Sequence, residues 1–120
     1  MSTNVIVTTG NRVEGIAVRE YLGPVQGVAV RVPTIGQGLQ AIGKALGGNF
    51  QAGAEVYAEA YETARAQAYE LMVERARELE ADAIIAVRYN STVVGESATG
   101  VLAYGTAIKL KFPEVTPVPP

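Results

Sequence analysis

The sequence of 120 residues contains no cysteine, no histidine and no tryptophan. Without cysteine the chain has no thiolate nucleophile, disulfide or iron–sulfur site, and without histidine it lacks the usual acid–base catalyst and zinc ligand. An enzyme would then depend on carboxylate, tyrosine or lysine as acid or base. Because the sequence offers no pair of such residues at a suggestive spacing, we expect a protein that is not an enzyme and holds no cofactor.

Charge of one sign and long apolar runs are scarce as well. Ten Lys+Arg stand against twelve Asp+Glu, a formal net charge of -2, so attraction to nucleic acid has no obvious source. No stretch approaches the roughly 20 apolar residues that span a bilayer, and the first residues do not resemble a secretory leader. We expect a cytoplasmic protein with no membrane span and no nucleic-acid partner.

The length suits one domain rather than two. We expect a single α+β domain over residues 1–112, and a proline-rich tail over residues 113–120 that is extended or disordered.

Extended segments dominate the first third of the chain. Residues 15–21 and 25–32 are rich in Val, Ile and Tyr, and the Leu-Gly-Pro sequence between them predicts two strands around a turn. Within the second segment Val28, Val30 and Val32 share one face, which is typical of a half-buried strand.

The middle of the chain predicts one long helix. Residues 54–80 contain no glycine or proline and are dominated by Ala, Glu, Arg and Leu. One face of this helix is apolar and consists of Tyr57, Tyr61, Ala64, Ala68, Leu71, Met72, Ala76 and Leu79. Because small side chains let another backbone come close, the repeated alanines predict that the helix lies directly on a sheet. The apolar run at 83–89 then predicts an interior strand, and residues 99–111 a second strand that closes an antiparallel hairpin.

A glycine-rich segment, residues 34–53, precedes the long helix. Its apolar residues recur at helical spacing and predict a short helix that needs an apolar surface to pack against: Ile35, Leu39, Ile42 and Leu46. Residues 38–44 also fit the phosphate-loop pattern G-x-x-x-x-G-K. Ala45 stands where that pattern needs a hydroxyl for magnesium, so a glycine-broken amphipathic helix is the favoured interpretation.

Two rows of side chains on the long helix are candidates for binding. Carboxylates at helical spacing could hold a divalent metal through oxygen, although such a cluster is more often a solvated face: Glu55, Glu59 and Glu62. A row at i, i+4 spacing could stack a cation on aromatic rings, although packing against a sheet or a neighbouring subunit is the favoured interpretation: Tyr57, Tyr61, Arg65 and Tyr69.

An ordered set of short motifs carries a family resemblance: Ala64-Arg65, Ala68, Ala76-Arg77, Leu79, Ala81-Asp82-Ala83-Ile84-Ile85 and Gly105-Thr106-Ala107-Ile108. Over residues 8–110 the chain resembles the small YbjQ-like proteins. The resemblance implies a dodecin-like α+β subunit, with a long helix on an antiparallel sheet, in a ring-shaped homopentamer whose extra short strands join neighbours. The family carries the label heavy-metal-binding, whereas soft metals favour the thiolate and imidazole that this chain lacks.

These observations favour a non-enzymatic cytoplasmic protein that assembles with copies of itself, as a homopentamer or a multiple of it. The candidate residues for its interface are Ile35, Leu39, Ile42, Leu46, Tyr57 and Tyr61. The alternative is a protein that binds a metal or a small ligand through oxygen atoms at clefts between subunits. The sequence leaves the choice open.

Overall fold

One helix packs on a four-stranded mixed sheet in a computed structural model that describes residues 4–31, 50–94 and 98–113. The elements in chain order are β1 (Ile6–Val7), β2 (Ala17–Arg31), α1 (Phe50–Glu78), β3 (Ala83–Val94) and β4 (Ala98–Lys111). The strand order across the sheet is β1-β3-β4-β2. This arrangement confirms the predicted α+β class, the long helix on a sheet and the hairpin of β3 with β4.

The prediction of a wholly antiparallel sheet is wrong at one edge, where β1 pairs with β3 in parallel. The Ile6 amide donates to the Asp82 carbonyl, and the Thr8 amide donates to the Ile84 carbonyl. These bonds hold the start of the chain beside the start of β3. The parallel strand is only Ile6–Val7, and the weak alternation of residues 4–9 does not show in which direction it pairs.

The prediction of two strands around a turn is also wrong, because β2 is one continuous strand paired with β4 along its length. The Leu-Gly-Pro sequence forms an irregularity within it. The register shifts between Tyr21 and Gly23, and Gly23 takes a φ of 110°, which a residue with a side chain rarely adopts. Pro24 is tolerated because β2 is an edge strand of the described sheet.

The two faces of β2 are used differently. Val25, Gly27 and Ala29 are buried beneath α1, whereas Val28 and Val30 on the opposite face are 55% and 53% exposed. The strand is half-buried as predicted, but α1 covers the face that carries the small residues Gly27 and Ala29 and leaves the valine face exposed. A helix can approach a sheet more closely over glycine and alanine than over valine.

The contact face of α1 is a stripe of small residues with one methionine: Ala60, Ala64, Ala68, Met72 and Ala76. The stripe packs mainly on β2, less on β4 and least on β3. The helix begins before residue 54 and ends before residue 80, so its predicted ends shift while its existence and its alanine contacts are confirmed. No helix within 50–94 or elsewhere in the described ranges is long and apolar enough to cross a membrane.

Hydrogen bonds to the last turn end the helix. The Glu80 amide donates to the Arg77 carbonyl, and the Ala81 amide donates to the Ala76 carbonyl, which together form a Schellman motif. Glu80 occupies the left-handed position of this motif, with a φ of 58°.

The second face of the sheet is covered at one end only. There Val13, Ile16 and Val18 pack on a small cluster of buried residues: Ala83, Ile85, Ile108 and Leu110. Asp82 stabilises this end, since its Oδ2 accepts a hydrogen bond of 2.8 Å from the Leu110 amide.

Several predictions fall outside the described residues. They concern the stripe at Ile35, Leu39, Ile42 and Leu46, the phosphate-loop pattern at 38–44, and the tail from 114 onwards. The side chains of Glu55 and Tyr57 are outside them too, although the backbone there is helical. The division into a domain over 1–112 and a tail over 113–120 stays a prediction.

Candidate functional site

Two adjoining cavities form a groove between α1 and the outer edge of β2. One has a volume of about 530 Å³ and the other about 400 Å³, and Val28 and Leu71 line both. We call this the edge groove; its walls are residues 24–29 of β2, residues 63–78 of α1 and Leu79, which follows the helix. Within the described ranges no strand pairs with this edge of β2.

The edge groove exists because α1 sits close to β2 and extends past it. Gly27 has no side chain to hold the helix away, so the α1 backbone at Ala68 and Met72 lies against it. Leu71 and Leu79 remain 41% and 42% exposed on the outer side of the helix. Together they form an apolar overhang beside a strand edge.

Another cavity, of about 460 Å³, lies on the sheet face that α1 does not cover. We call it the open-face groove. Cross-strand pairing brings Val28 of β2, Leu102 of β4 and Asn90 of β3 into one row, and the next row is Val30, Gly100 and Thr92. The resulting surface is apolar on the β2 side and polar on the β3 side.

Charged groups lie at the margins of these grooves. Arg75 and Glu78 border the end of the edge groove. On β3, Nη1 of Arg88 donates to the Thr9 and Val87 carbonyls at 2.8 Å each, which fixes the guanidinium against the backbone. No charged side chain is buried among the described residues, so the grooves are bounded by apolar surface and solvated charge.

The side chains of the two candidate binding rows on α1 have different surroundings in the structure. Glu59 and Glu62 are exposed on α1, while Tyr61 is partly buried against the chain's own core. Arg65 places its guanidinium 4.8 Å from the ring centre of Tyr89 on β3, so its aromatic partner comes from the sheet and not from the helical row.

The described part of the chain offers little for a metal ion. No group of three or more His, Cys, Asp or Glu side chains comes together in it. The carboxylates of Glu59 and Glu62 therefore have no third carboxylate at hand among the described residues. Their proposed role as metal ligands, with Glu55, stays a prediction.

Comparison with known proteins identifies the family. Residues 5–111 match the model of the YbjQ family, whose description is "Putative heavy-metal-binding". The chain belongs to the YbjQ family. A UPF0145 protein of Legionella pneumophila is 46% identical over 104 residues, which cover 86% of this chain and 95% of that protein. A UPF0145 protein of Thermotoga maritima is 41% identical over 106 residues, covering 88% and 97%.

A solved structure supports the fold. It is a protein of unknown function from Pediococcus pentosaceus in the DUF74 family, which matches with a TM-score of 0.53 at 18% identity and covers 91% of this chain and 100% of that one. At this identity the likeness concerns the fold. The resemblance to YbjQ-like proteins that the sequence motifs carried is confirmed.

The surface residues that line these grooves were not predictable from the sequence. Val28 and Val30 were visible as one valine face, but alternation alone does not say whether a chain covers that face itself. Leu71 was assigned to the buried face of the helix and is 41% exposed beside β2. The small residues Gly27 and Ala29 carried the missing signal, because they mark the side on which the helix packs.

Proposed function

We propose that this member of the YbjQ family is a non-enzymatic subunit of a cytoplasmic homo-oligomer, a ring-shaped homopentamer of dodecin-like subunits or a multiple of it. The observation that carries the proposal is the valine face of β2, which lies more than half exposed while the small-residue face is buried. Exposed apolar surface of this kind, with Leu102 of β4 beside the two valines, is typical of an interface.

The position of the apolar surface supports assembly rather than catalysis. Val28 lines both the edge groove and the open-face groove, so one strand contributes apolar surface to two sides of the sheet edge. In the described ranges no buried ionisable side chain accompanies these grooves, although such a group is a common mark of an active site. A second copy of the chain would remove the valines from water.

The test is the native mass of the untagged protein and of two groups of variants. Val28→Glu and Val30→Glu should lower the assembly state, because each introduces a charge into the proposed interface. Phe112→Glu is the matched control, since Phe112 is also 53% exposed but lies beyond the other end of β4. We expect the control to keep the native mass. An unchanged mass in both valine variants would contradict the proposal.

A further inference from the structure

We infer that the subunits join edge to edge, with residues 88–94 of β3 in one copy pairing in parallel with residues 25–31 of β2 in the next. The inference rests on the proposed function and specifies which surfaces of two neighbouring copies meet. In this contact a second copy of the chain fills the edge groove.

The two edges lie level with each other on opposite sides of β4. Residues 25–31 of β2 pair with residues 99–105 of β4, and residues 88–94 of β3 pair with residues 98–104. Both segments therefore stand at the same end of the sheet, and they contain the same number of residues. A neighbour added at one edge would meet a strand segment of matching length.

The other half of each strand is unsuited to pairing. In β2, register shifts near Val18 and Tyr21 and the presence of Pro24 interrupt the outer edge before residue 25. In β3, β1 occupies the outer edge at Ala83 and Ile84, and the Ala86 and Val87 amides donate to the Gly10 and Thr8 carbonyls. Regular edges without a partner in the described ranges remain only at the end where the two segments lie level.

The direction of the strands makes this contact head to tail. Both β2 and β3 run antiparallel to β4, so they run parallel to each other. Joining the β3 edge of one copy to the β2 edge of the next uses two different surfaces, and such a contact closes into a ring when its rotation allows.

The helix of one copy could cover the exposed end of β3 in a neighbouring copy. α1 packs mainly on β2 and least on β3, and cover of β3 is lost toward its end, since Ile84 and Val87 are buried in the core whereas Val93 is 75% exposed. The edge groove opens on the helix side of β2, beneath the overhang of Leu71. A β3 edge placed against β2 of the next copy would bring its helix-facing side chains under that copy's α1.

Cysteine pairs test the contact cleanly, because the chain has no cysteine of its own. Val28 and Asn90 occupy the same row of the sheet, so at the proposed contact the double variant Val28→Cys/Asn90→Cys should form covalent oligomers through direct disulfides under mild oxidation. Within one subunit β4 separates the two residues by about 10 Å, too far for a disulfide. Val28→Cys alone and Asn90→Cys alone should give none. The matched control is Val28→Cys/Glu62→Cys, since Glu62 is exposed on the helix away from the alanine stripe.

The outcomes separate the two claims. A ladder of cross-linked subunits in the double variant alone supports the inference. An oligomer of native mass without a ladder overturns the inference while the proposed function stands. Covalent dimers from Val28→Cys alone would mean that β2 meets β2, which also overturns it. A monomeric wild-type protein overturns both.

Hydrogen exchange on the unmodified protein provides a measurement that does not depend on folding of the variants. In a free edge strand, alternate amides point to solvent and exchange fast. We expect slow exchange at all amides of residues 25–31 and 88–94 in the native assembly. Fast exchange at alternate amides in both segments would overturn the inference.

Discussion

Gly27 of β2 lies directly beneath the main chain of α1 at Ala68. A Cβ atom at Gly27 would meet the Ala68 carbonyl oxygen and would stand 2.6 Å from the Met72 amide nitrogen. Both neighbours are backbone atoms, which cannot move aside as a flexible side chain can. The distance between helix and sheet is therefore set by the absence of a side chain at this residue.

Gly27→Ala should destabilise the fold. The added methyl group forces α1 away from β2, and overpacking of this kind costs about 1–3 kcal/mol. Urea denaturation at equilibrium measures the change. Gly10→Ala is the control, because its nearest contact would be the Thr8 hydroxyl at 3.4 Å. Equal stability of the two variants would contradict the role given to Gly27.

Glu80→Gly should stabilise the protein. Glu80 holds a φ of 58° at the position after the helix where glycine is favoured, and a left-handed conformation costs an ordinary residue about 1 kcal/mol. Glu62→Gly, within the exposed face of α1, should instead cost roughly 0.5–1 kcal/mol because glycine weakens a helix interior. Thermal unfolding should show a shift of opposite sign for the two substitutions; a lower melting temperature for Glu80→Gly would contradict the account.

Asp82→Ala should weaken the start of β3. The Asp82 carboxylate accepts the Leu110 amide at 2.8 Å, and a hydrogen bond to a charged group contributes about 1.5–3 kcal/mol. Asp82→Asn keeps a carbonyl oxygen in the same place and should lose less. The free energy of unfolding of the two variants checks the order, and an equal loss in both would assign the effect to something other than this bond.

Heavy metals should bind weakly and without fixed stoichiometry. The chain has no thiolate or imidazole, which are the ligands that zinc and copper favour. Isothermal titration with Zn²⁺ and with Cu²⁺ measures this directly. Binding of one ion per subunit, lost in the triple variant Glu55→Gln/Glu59→Gln/Glu62→Gln, would contradict the prediction and favour the alternative of an oxygen-ligand metal site.

The helix and the hairpin were predictable from the sequence because their patterns are long. Alanines repeated along the helix, at Ala64, Ala68 and Ala76, indicated close contact with a sheet, and that contact is found. The parallel pairing of the short strand Ile6–Val7 was not predictable, because it depends on the position of β3. The Leu-Gly-Pro sequence looked like a turn, since its tolerance within a strand depends on the strand lying at an edge.

The candidate site was harder to predict because it is a surface between elements. Alternation in β2 identified a valine face, but the choice of the buried face depends on Gly27 and on how closely α1 approaches it. The edge groove likewise depends on where the helix lies relative to β2, which a pattern in either segment does not contain. The metal and interface roles assigned from the sequence stay predictions.

The most direct test of self-assembly is the native mass spectrum of the untagged wild-type protein, recorded without chelator at its working concentration. We expect one assembly whose mass is five subunits or a multiple of five, with no retained small molecule. A spectrum of single 12.6 kDa chains, under conditions where a known oligomer of similar size stays intact, would contradict it.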